Sequence, residues 1–120
     1  VFRNNNETFK LLSKTEMTID YITKELLNYP KYEVVLRNKI ESVMYDMIYQ
    51  IHSYRITQNK RVKSKNLNDL IIYLSMLDYY MRISYNKKII NSHKYNVIGK
   101  FLIEIRKITY GVLNYEKSSL

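Results

Sequence analysis

The stretch from Asn66 to Ser84, NLNDLIIYLSMLDYYMRIS, decides the fold class of this chain. Its apolar residues recur in steps of 3, 4, 3 and 4, at Leu67, Leu70, Leu74, Leu77 and Met81. This spacing puts the side chains on one face of an α-helix and is close to a heptad seam. The stretch therefore predicts a helix over about 67–84 that packs against other helices, with Asn66 as its N-cap.

Three further segments show the same helical periodicity. They run from about Glu7 to Asn28, from about Tyr32 to Gln58 and from about His93 to Tyr115. Pro30 ends the first of them, because the residue before a proline is pushed out of the α region. The predicted core-facing residues of these segments are Phe9, Leu12, Ile19, Ile22, Leu26, Leu36, Ile40, Met44, Met47, Ile51, Tyr54, Tyr95, Ile98, Leu102, Ile105, Ile108 and Val112.

The connections between the helices are short, at about 29–31, 59–66 and 85–92. Short connections force successive helices to lie antiparallel. We expect Asn5 or Asn6 to cap the first helix and Ser92 to cap the last. The sequence thus predicts an all-α, antiparallel up-down-up-down four-helix bundle in one domain, with residues 1–6 as a disordered or capping start and 116–120 as a tail.

Apolar and aromatic residues are more numerous than one bundle core requires. The chain has 13 tyrosines. The residues outside the predicted stripes include Val43, Ile48, Ile71, Ile72, Met76, Phe101, Ile103, Tyr73, Tyr79, Tyr85 and Tyr110. A second apolar face indicates that another subunit covers part of the surface, and the alternative is a wide, tyrosine-lined core in a monomer. Gly99 and Gly111 inside the last helix are predicted to be close-packing contacts.

The residues needed for catalysis are absent from the sequence pattern. There is no cysteine, no glycine-rich phosphate loop and no metal-binding motif around His52 or His93. The chain also has no apolar run of 18 residues and no signal-peptide pattern at its start. We therefore expect a non-enzymatic protein of the cytoplasm with no cofactor, no metal, no small-molecule substrate and no membrane segment.

Positive charge is concentrated in the second half of the chain. The net charge is +9, and residues 61–120 hold eleven Lys and Arg against four Asp and Glu. The segment KRVKSK, Lys60 to Lys65, is predicted to be a basic loop at one end of the bundle, with Lys87 and Lys88 in a loop at the other. Further positives, Arg82, Lys94, Lys100, Arg106 and Lys107, fall on the third and fourth helices. This distribution favours phosphate contacts with a nucleic acid over base reading, and the alternative is a solvated basic face.

Four segments in this order resemble a known family. They are NYPKYE (28–33), LRNKI (36–40), NLNDLIIYLSMLDYYMRIS (66–84) and KYNVIGKFLIEIRKITYGVLNYEK (94–117). The resemblance is to the accessory variability determinant proteins of diversity-generating retroelements, which are four-helix bundles related to the proteins encoded in 23S rRNA intervening sequences. Glu104, Ile105, Arg106 and Gly111 match the family's last motif, whereas GVLNY departs from the Gly-Trp commonly found there.

The resemblance implies a ring-shaped homopentamer with a positively charged surface. Such proteins bind a dedicated reverse transcriptase and its template RNA, and support mutagenic cDNA synthesis without catalysing it. Carried over to this chain, Arg37, Lys39, Arg82, Arg106 and Lys107 become candidates for binding RNA or the polymerase. Together with the basic segments, the predicted residues are Arg37, Lys39, Lys60, Arg61, Lys63, Lys65, Arg82, Lys87, Lys88, Lys100, Arg106 and Lys107.

Two other functions remain open at this point. One is a protein of the rRNA-intervening-sequence type, with an RNA-associated role and no reverse transcriptase. The other is a purely structural oligomeric scaffold whose charge serves solubility. A neighbouring reverse-transcriptase gene with a template and variable repeat pair would exclude the first, and salt-dependent RNA binding would exclude the second.

Overall fold

A computed structural model describes residues 2–118, with side chains from Asn6 onwards, and this part of the chain contains helices and turns but no strand. The elements are α1 Phe2–Leu26, a 3₁₀ turn Lys31–Glu33, α2 Val34–Ile56, α3 Lys60–Asn86 and α4 Ser92–Ser118. Each helix packs against two others, in the cycle α1, α2, α3, α4 and back to α1. The molecule measures 47 × 23 × 18 Å. The predicted all-α, four-helix architecture is confirmed.

The seam of α3 forms the centre of the core. Leu70, Leu74 and Leu77 have no exposed surface, and Leu67 and Met81 are 1% exposed. The last four of the seam residues pack with the predicted stripes of the other helices, as in Ile40 to Ile51 on α2 and Ile98 to Ile105 on α4. Leu67 belongs to a second cluster with Tyr54 and Val112. Because one face of every helix is apolar at a period near 3.6, burying all four faces together is the arrangement that removes most apolar surface from water.

The prediction for the first half of α1 is wrong at Phe9, whose side chain is 64% exposed. The inward positions of this helix are instead taken by Thr8, Leu11, Thr15 and Thr18, all 5% exposed or less. Threonine is polar in a hydropathy pattern, but its methyl group packs well in a core. A stripe built from threonines is therefore invisible to a search for apolar periodicity.

The start of α3 also differs from the prediction, because KRVKSK is helical and is not a loop. The N-cap is Asn59, whose side-chain oxygen accepts hydrogen bonds from the backbone N–H groups of Arg61 and Val62 at 2.9 and 3.1 Å. Asn66, predicted as the cap, lies in the second turn of the helix and is 6% exposed. The apolar seam begins only at Leu67, so its periodicity gives no sign of the two turns before it.

The other predicted caps are displaced as well. Asn91 precedes α4, and its side-chain oxygen accepts from the backbone N–H of Lys94 at 2.9 Å, so that Ser92 is the first helical residue. Helix α1 already begins at Phe2, which leaves Asn5 and Asn6 inside the helix. Ser and Asn favour caps through the same chemistry. Composition alone therefore cannot choose between neighbouring candidates.

The two glycines do not make the close contacts predicted for them. A Cβ atom built on Gly99 or Gly111 would meet no atom within 4 Å apart from the neighbouring backbone of its own helix. Both positions are thus open on the outside of α4, and neither is required for packing between the helices of this subunit.

The turn after α3 contains the only positive φ among the described residues, at Lys88 with φ of 62°. The N–H of Ile89 bonds to the carbonyl of Ser84, and that of Lys88 to the carbonyl of Tyr85, both at 2.9 Å. These two bonds define a Schellman motif, in which the left-handed position normally carries glycine. Lys88 therefore adopts a conformation that a Cβ atom disfavours.

We expect Lys88→Gly to raise the free energy of unfolding by about 1 kcal/mol, because glycine adopts positive φ without steric cost. Urea denaturation followed by circular dichroism measures this. Lys87→Gly is the matched control, since Lys87 has φ of −80° and gains nothing from glycine. Lower stability in the Lys88 variant than in the wild type would contradict the assignment of strain.

A buried hydrogen-bond chain ties the end of α1 to α3. The Tyr29 hydroxyl donates to Ser84 Oγ at 2.6 Å, and Ser84 Oγ donates to the Tyr80 carbonyl at 2.9 Å. Tyr29 is 7% exposed. Burial raises the pKa of Tyr29, opposed by the Ser84 hydrogen bond and aided by the nearby charges of Glu25 and Glu33.

Tyr29→Phe should lower stability at neutral pH by about 1 kcal/mol, the typical net value of a hydrogen bond. Because the folded-state pKa is raised, the contribution of Tyr29 is fully present below its unfolded pKa of about 10 and is lost as the pH rises through the folded value. The stability difference between wild type and Tyr29→Phe should therefore shrink in alkali. Urea denaturation of both proteins from neutral to alkaline pH tests this, and a difference that stays constant would contradict it.

Candidate nucleic-acid interface

The predicted basic residues do not form one patch. Helix α3 has 27 residues, and at 1.5 Å per residue it spans about 40 Å. Its first two turns carry the KRVKSK segment, and the turn after its last residue carries Lys87 and Lys88. Arg37 and Lys39 lie in the first turns of α2, at the same end as Lys87. We call the two ends of the bundle the Lys60 end and the Lys88 end.

At the Lys60 end, Lys63 is turned toward the protein. Its ammonium donates to the backbone carbonyl of Tyr54 at 2.9 Å and lies 4.2 Å from the centre of the Tyr54 ring. Helix α2 ends at Ile56, so this carbonyl is among the last four, which have no partner within the helix. A cation at this position also complements the negative end of the helix dipole. Lys63 thus joins the start of α3 to the end of α2.

Buried polar groups surround this junction. The Tyr54 hydroxyl donates to the Glu116 carboxylate. Asn66 Nδ2 donates to Gln50 Oε1 at 2.7 Å, and Ser53 Oγ donates to Asn66 Oδ1 at 3.2 Å. This network was not predicted from the sequence. The available signal is that Gln50 and Asn66 lie 4 residues before the core residues Tyr54 and Leu70, where an apolar side chain is expected.

Lys63→Met should lower the free energy of unfolding by about 1 to 2 kcal/mol, because it removes a charged hydrogen bond and a cation–π contact. Arg61→Met is the matched control: it removes the same charge from an exposed residue of the same turn. Urea denaturation at equal protein concentration compares the two. Equal losses in both variants would show that the contacts of Lys63 contribute nothing.

Several other predicted residues are neutralised by acidic neighbours. The pairs are Arg37–Glu41 at 3.3 Å, Lys65–Asp69 at 2.6 Å, Arg82–Asp78 at 3.0 Å and Lys87–Glu33 at 3.1 Å. The hydrogen bond that Lys65 donates to Asp69 raises the pKa of Lys65. Exposed pairs of this kind contribute little to stability. Their main effect is to reduce the positive charge that these residues offer to a polyanion.

The outward face of α4 retains its charge. Lys100, Ile103, Lys107 and Tyr110 follow one another in steps of 3, 4 and 3 residues, and Lys117 lies seven residues further on. Ile103 is 57% and Tyr110 44% exposed. Among residues 6–118, no acidic side chain pairs with Lys100 or Lys107. We call these five residues the α4 stripe.

The α4 stripe borders a groove between α1 and α4. Phe9 and Met17, which are 64% and 51% exposed, form its apolar floor with Ile108. The groove measures about 450 Å³ and includes Lys107 in its wall. Lys14 of α1 pairs across it with Glu104 of α4 at 2.8 Å. Lys107 therefore lies at the edge of an apolar surface.

Arg106 lies on the flank of the stripe that faces α3. Its Nη2 is 3.4 Å from Ser75 Oγ, a long hydrogen bond. The structure thus brings together Lys100, Arg106 and Lys107 on one side of α4. The half of the bundle toward the Lys88 end contains Arg37, Lys39, Arg82, Lys87 and Lys88. The opposite end contains the KRVKSK residues.

No group of three His, Asp or Glu side chains within the described residues could hold a metal ion. His52 and His93 are both exposed. None of the helices over residues 2–118 is both long and apolar enough to cross a lipid bilayer.

Comparison with protein-family models, with curated proteins and with solved structures found no match to this chain. The resemblance to the retroelement accessory proteins therefore rests on the four sequence segments alone.

Proposed function

We propose that this chain is a non-enzymatic accessory protein of a diversity-generating retroelement, which binds template RNA or its cDNA together with the reverse transcriptase. The observation that carries the proposal is the α4 stripe, where unpaired lysines alternate with exposed apolar side chains. The family resemblance supplies the polymerase partner, the cytoplasmic location is the one expected from the sequence pattern, and the geometry supplies a surface on which a nucleic acid can lie.

The stripe suits a phosphate backbone for two physical reasons. Lys100 and Lys107 are seven residues apart, which is about 10 Å along the helix, and each can displace a condensed counterion from a phosphate. Ile103 and Tyr110 offer apolar and aromatic surface between them, on which unpaired bases can pack. One subunit supplies few contacts, so binding by a single copy is expected to be weak.

Self-association would multiply this weak contact. On α2, the exposed Tyr45, Tyr49 and Ile56 lie in steps of 4 and 7 residues and are 65%, 67% and 77% exposed. Helices α2 and α4 lie diagonally opposite each other in the cycle of helices, so a second copy can cover this face of α2 while the α4 stripe stays open. A homopentamer, which the resemblance implies, would repeat the stripe five times and raise affinity through avidity.

The test is RNA binding by fluorescence anisotropy at several salt concentrations. The double variant Lys100→Gln/Lys107→Gln should bind a structured RNA at least about tenfold more weakly, with a salt slope reduced by about 1.4 to 1.8. The matched control is Lys24→Gln/Lys31→Gln, which changes net charge equally at exposed residues that are not part of α4. Equal weakening in both double variants would show that only net charge matters, and would remove the α4 stripe from the proposal.

Light scattering with and without RNA measures the assembly. We expect a particle of several subunits that binds RNA and releases it as salt rises. Co-purification with the reverse transcriptase encoded nearby tests the polymerase partner, and the absence of such a gene would favour the rRNA-intervening-sequence type of protein.

A structural scaffold is the second candidate function. Many positive charges are already paired within the subunit, which favours this function. They are the ion-paired Arg37, Lys65, Arg82 and Lys87 and the inward Lys63. If the protein is a scaffold, its assembly should bind no RNA at any salt concentration.

A further inference from the structure

A cleft opens at the Lys88 end, between the last turn of α1, the turn after α3 and the first turn of α4. It measures about 640 Å³, which is within the range of sites for small organic groups. Its wall is polar, unlike the groove beside the α4 stripe. The cleft is lined by Asn28, Tyr85, Asn86, Lys88 and Lys94, among other residues.

One wall of the cleft is an aromatic platform. The rings of Tyr85 and Tyr95 are stacked, with centroids 4.7 Å apart and planes 9° apart. Arg82 donates a hydrogen bond to Asp78 at 3.0 Å, and its interactions with Tyr95 and Asp78 raise its pKa. Tyr85 is covered by Tyr95 on one side yet stays 38% exposed. A second planar group can therefore stack on its open side.

The cations around the cleft are not equally available. Lys94 pairs with Glu25 at 2.8 Å, and Lys87 pairs with Glu33 at 3.1 Å. Lys88 has no ion pair among residues 6–118, and the Schellman turn holds its backbone in place. It is the cation of this cleft that an incoming anion can bind without first breaking a pair.

Amide groups complete the lining. Asn28 and Asn86 are exposed and both line the cleft, from the turn after α1 and the end of α3. An amide offers a donor and an acceptor together, which is the pattern that base edges present. An aromatic ring, a free lysine and two amides around one cleft form a set that matches a base with its phosphate.

We propose that this cleft binds one unpaired nucleotide of a single-stranded RNA, with its base stacked on Tyr85 and its phosphate at Lys88. The inference rests on the proposed function as an RNA-binding protein and adds a preference for unpaired segments. A base inside a duplex is already stacked and paired, so it cannot reach the ring. Single-stranded recognition by aromatic stacking also tolerates any base.

The test compares a single-stranded RNA of about 12 nucleotides with a duplex of the same sequence, by fluorescence anisotropy. Tyr85→Ala should weaken binding of the single strand about 5- to 150-fold, the cost of losing one stacked base, and should leave duplex affinity unchanged. Tyr85→Phe keeps the ring and should bind as the wild type does. Tyr79→Ala, at another exposed tyrosine of α3 (49% exposed), is the matched control and should change neither affinity.

Lys88→Gly is a second variant, and it leaves the stacked pair of Tyr85 and Tyr95 unchanged. It relieves the left-handed position, so the protein stays folded, and it should weaken binding of the single strand with a salt slope lower by about 0.7. Addition of millimolar adenosine monophosphate should compete with the single strand only at the cleft. Competition that persists in Tyr85→Ala would place the nucleotide elsewhere and overturn the inference.

The two proposals fail in different ways. If the wild type binds RNA through Lys100 and Lys107 but Tyr85→Ala and Lys88→Gly bind both RNA forms unchanged, the cleft is not a nucleotide site and the α4 stripe stands. If Tyr85→Ala weakens the single strand and the duplex equally, unpaired-base recognition is wrong. If the wild type binds neither RNA, the proposed function and the cleft inference fail together.

Discussion

Leu74→Ala should lower the free energy of unfolding by about 3 kcal/mol, within the range of 2 to 5 for a buried leucine. Leu74 lies midway along α3 with no exposed surface, and the core cluster around it draws on all four helices. The rigid helices on every side cannot collapse fully into the space left by the removed side chain. The variant therefore loses both the transfer free energy of the leucine and the contacts of its neighbours.

Ile72→Ala is the control for this substitution, since Ile72 lies two residues away on the same helix and is 58% exposed. It should change stability by less than about 0.5 kcal/mol. Urea denaturation of both variants at one protein concentration gives the comparison. Equal losses would mean that α3 is rotated relative to the orientation described, and that its seam is not the centre of the core. A loss at Ile72 that depends on protein concentration would instead indicate a subunit contact there.

Asn66→Ala should cost about 2 kcal/mol, because it leaves the buried amide of Gln50 and the hydroxyl of Ser53 without the partner they have in the native protein. Gln50 is 9% and Asn66 6% exposed, so water cannot readily replace the lost bonds. Equilibrium urea denaturation measures the effect. The control is Asn68→Ala, because exposed Asn68 bonds only to the Ser64 carbonyl of its own helix at 3.0 Å and should be close to neutral.

A double variant separates the hydrogen bond from the packing at this position. In Asn66→Leu/Gln50→Leu both partners are apolar, so no buried polar atom of this pair is left unsatisfied. Stability should recover much of what Asn66→Ala loses. If the double variant is as unstable as the single one, the network contributes shape and not hydrogen bonding, and the explanation given for Asn66 is wrong.

The candidate interface could be predicted only in part. Charge indicates Lys100, Arg106 and Lys107, the resemblance adds support for the last two, and the structure places all three on one side of α4. The alternation with Ile103 and Tyr110 is also present in the sequence, in steps of 3, 4 and 3 residues. It becomes visible only when the apolar and the basic residues of α4 are considered together. The nucleotide-sized cleft had no signal in the sequence, because its walls come from α1, α3 and α4.

The KRVKSK segment shows why charge density alone is a poor guide to binding. Lys63 bonds to Tyr54, nine residues earlier, and Lys65 bonds to Asp69 in the next turn. Local pairing such as that of Lys65 can be anticipated from an i, i+4 spacing. The position of Lys63 depends on how α2 and α3 meet, which no spacing along the chain reveals.

The sequence by itself determined the helix class, the number of helices and the face that each of α2, α3 and α4 buries. Apolar periodicity is a local property of the chain. A period of 3.6 residues, with two glycines and one proline to interrupt it, predicts long α-helices. Only the tertiary structure decided which cations remain available to a partner. Lys14 meets Glu104, Lys94 meets Glu25 and Lys87 meets Glu33 across helices that lie far apart in the chain. The free charge of a surface therefore depends on which helices are neighbours. A count of lysines along the sequence does not show which of them have an acidic partner.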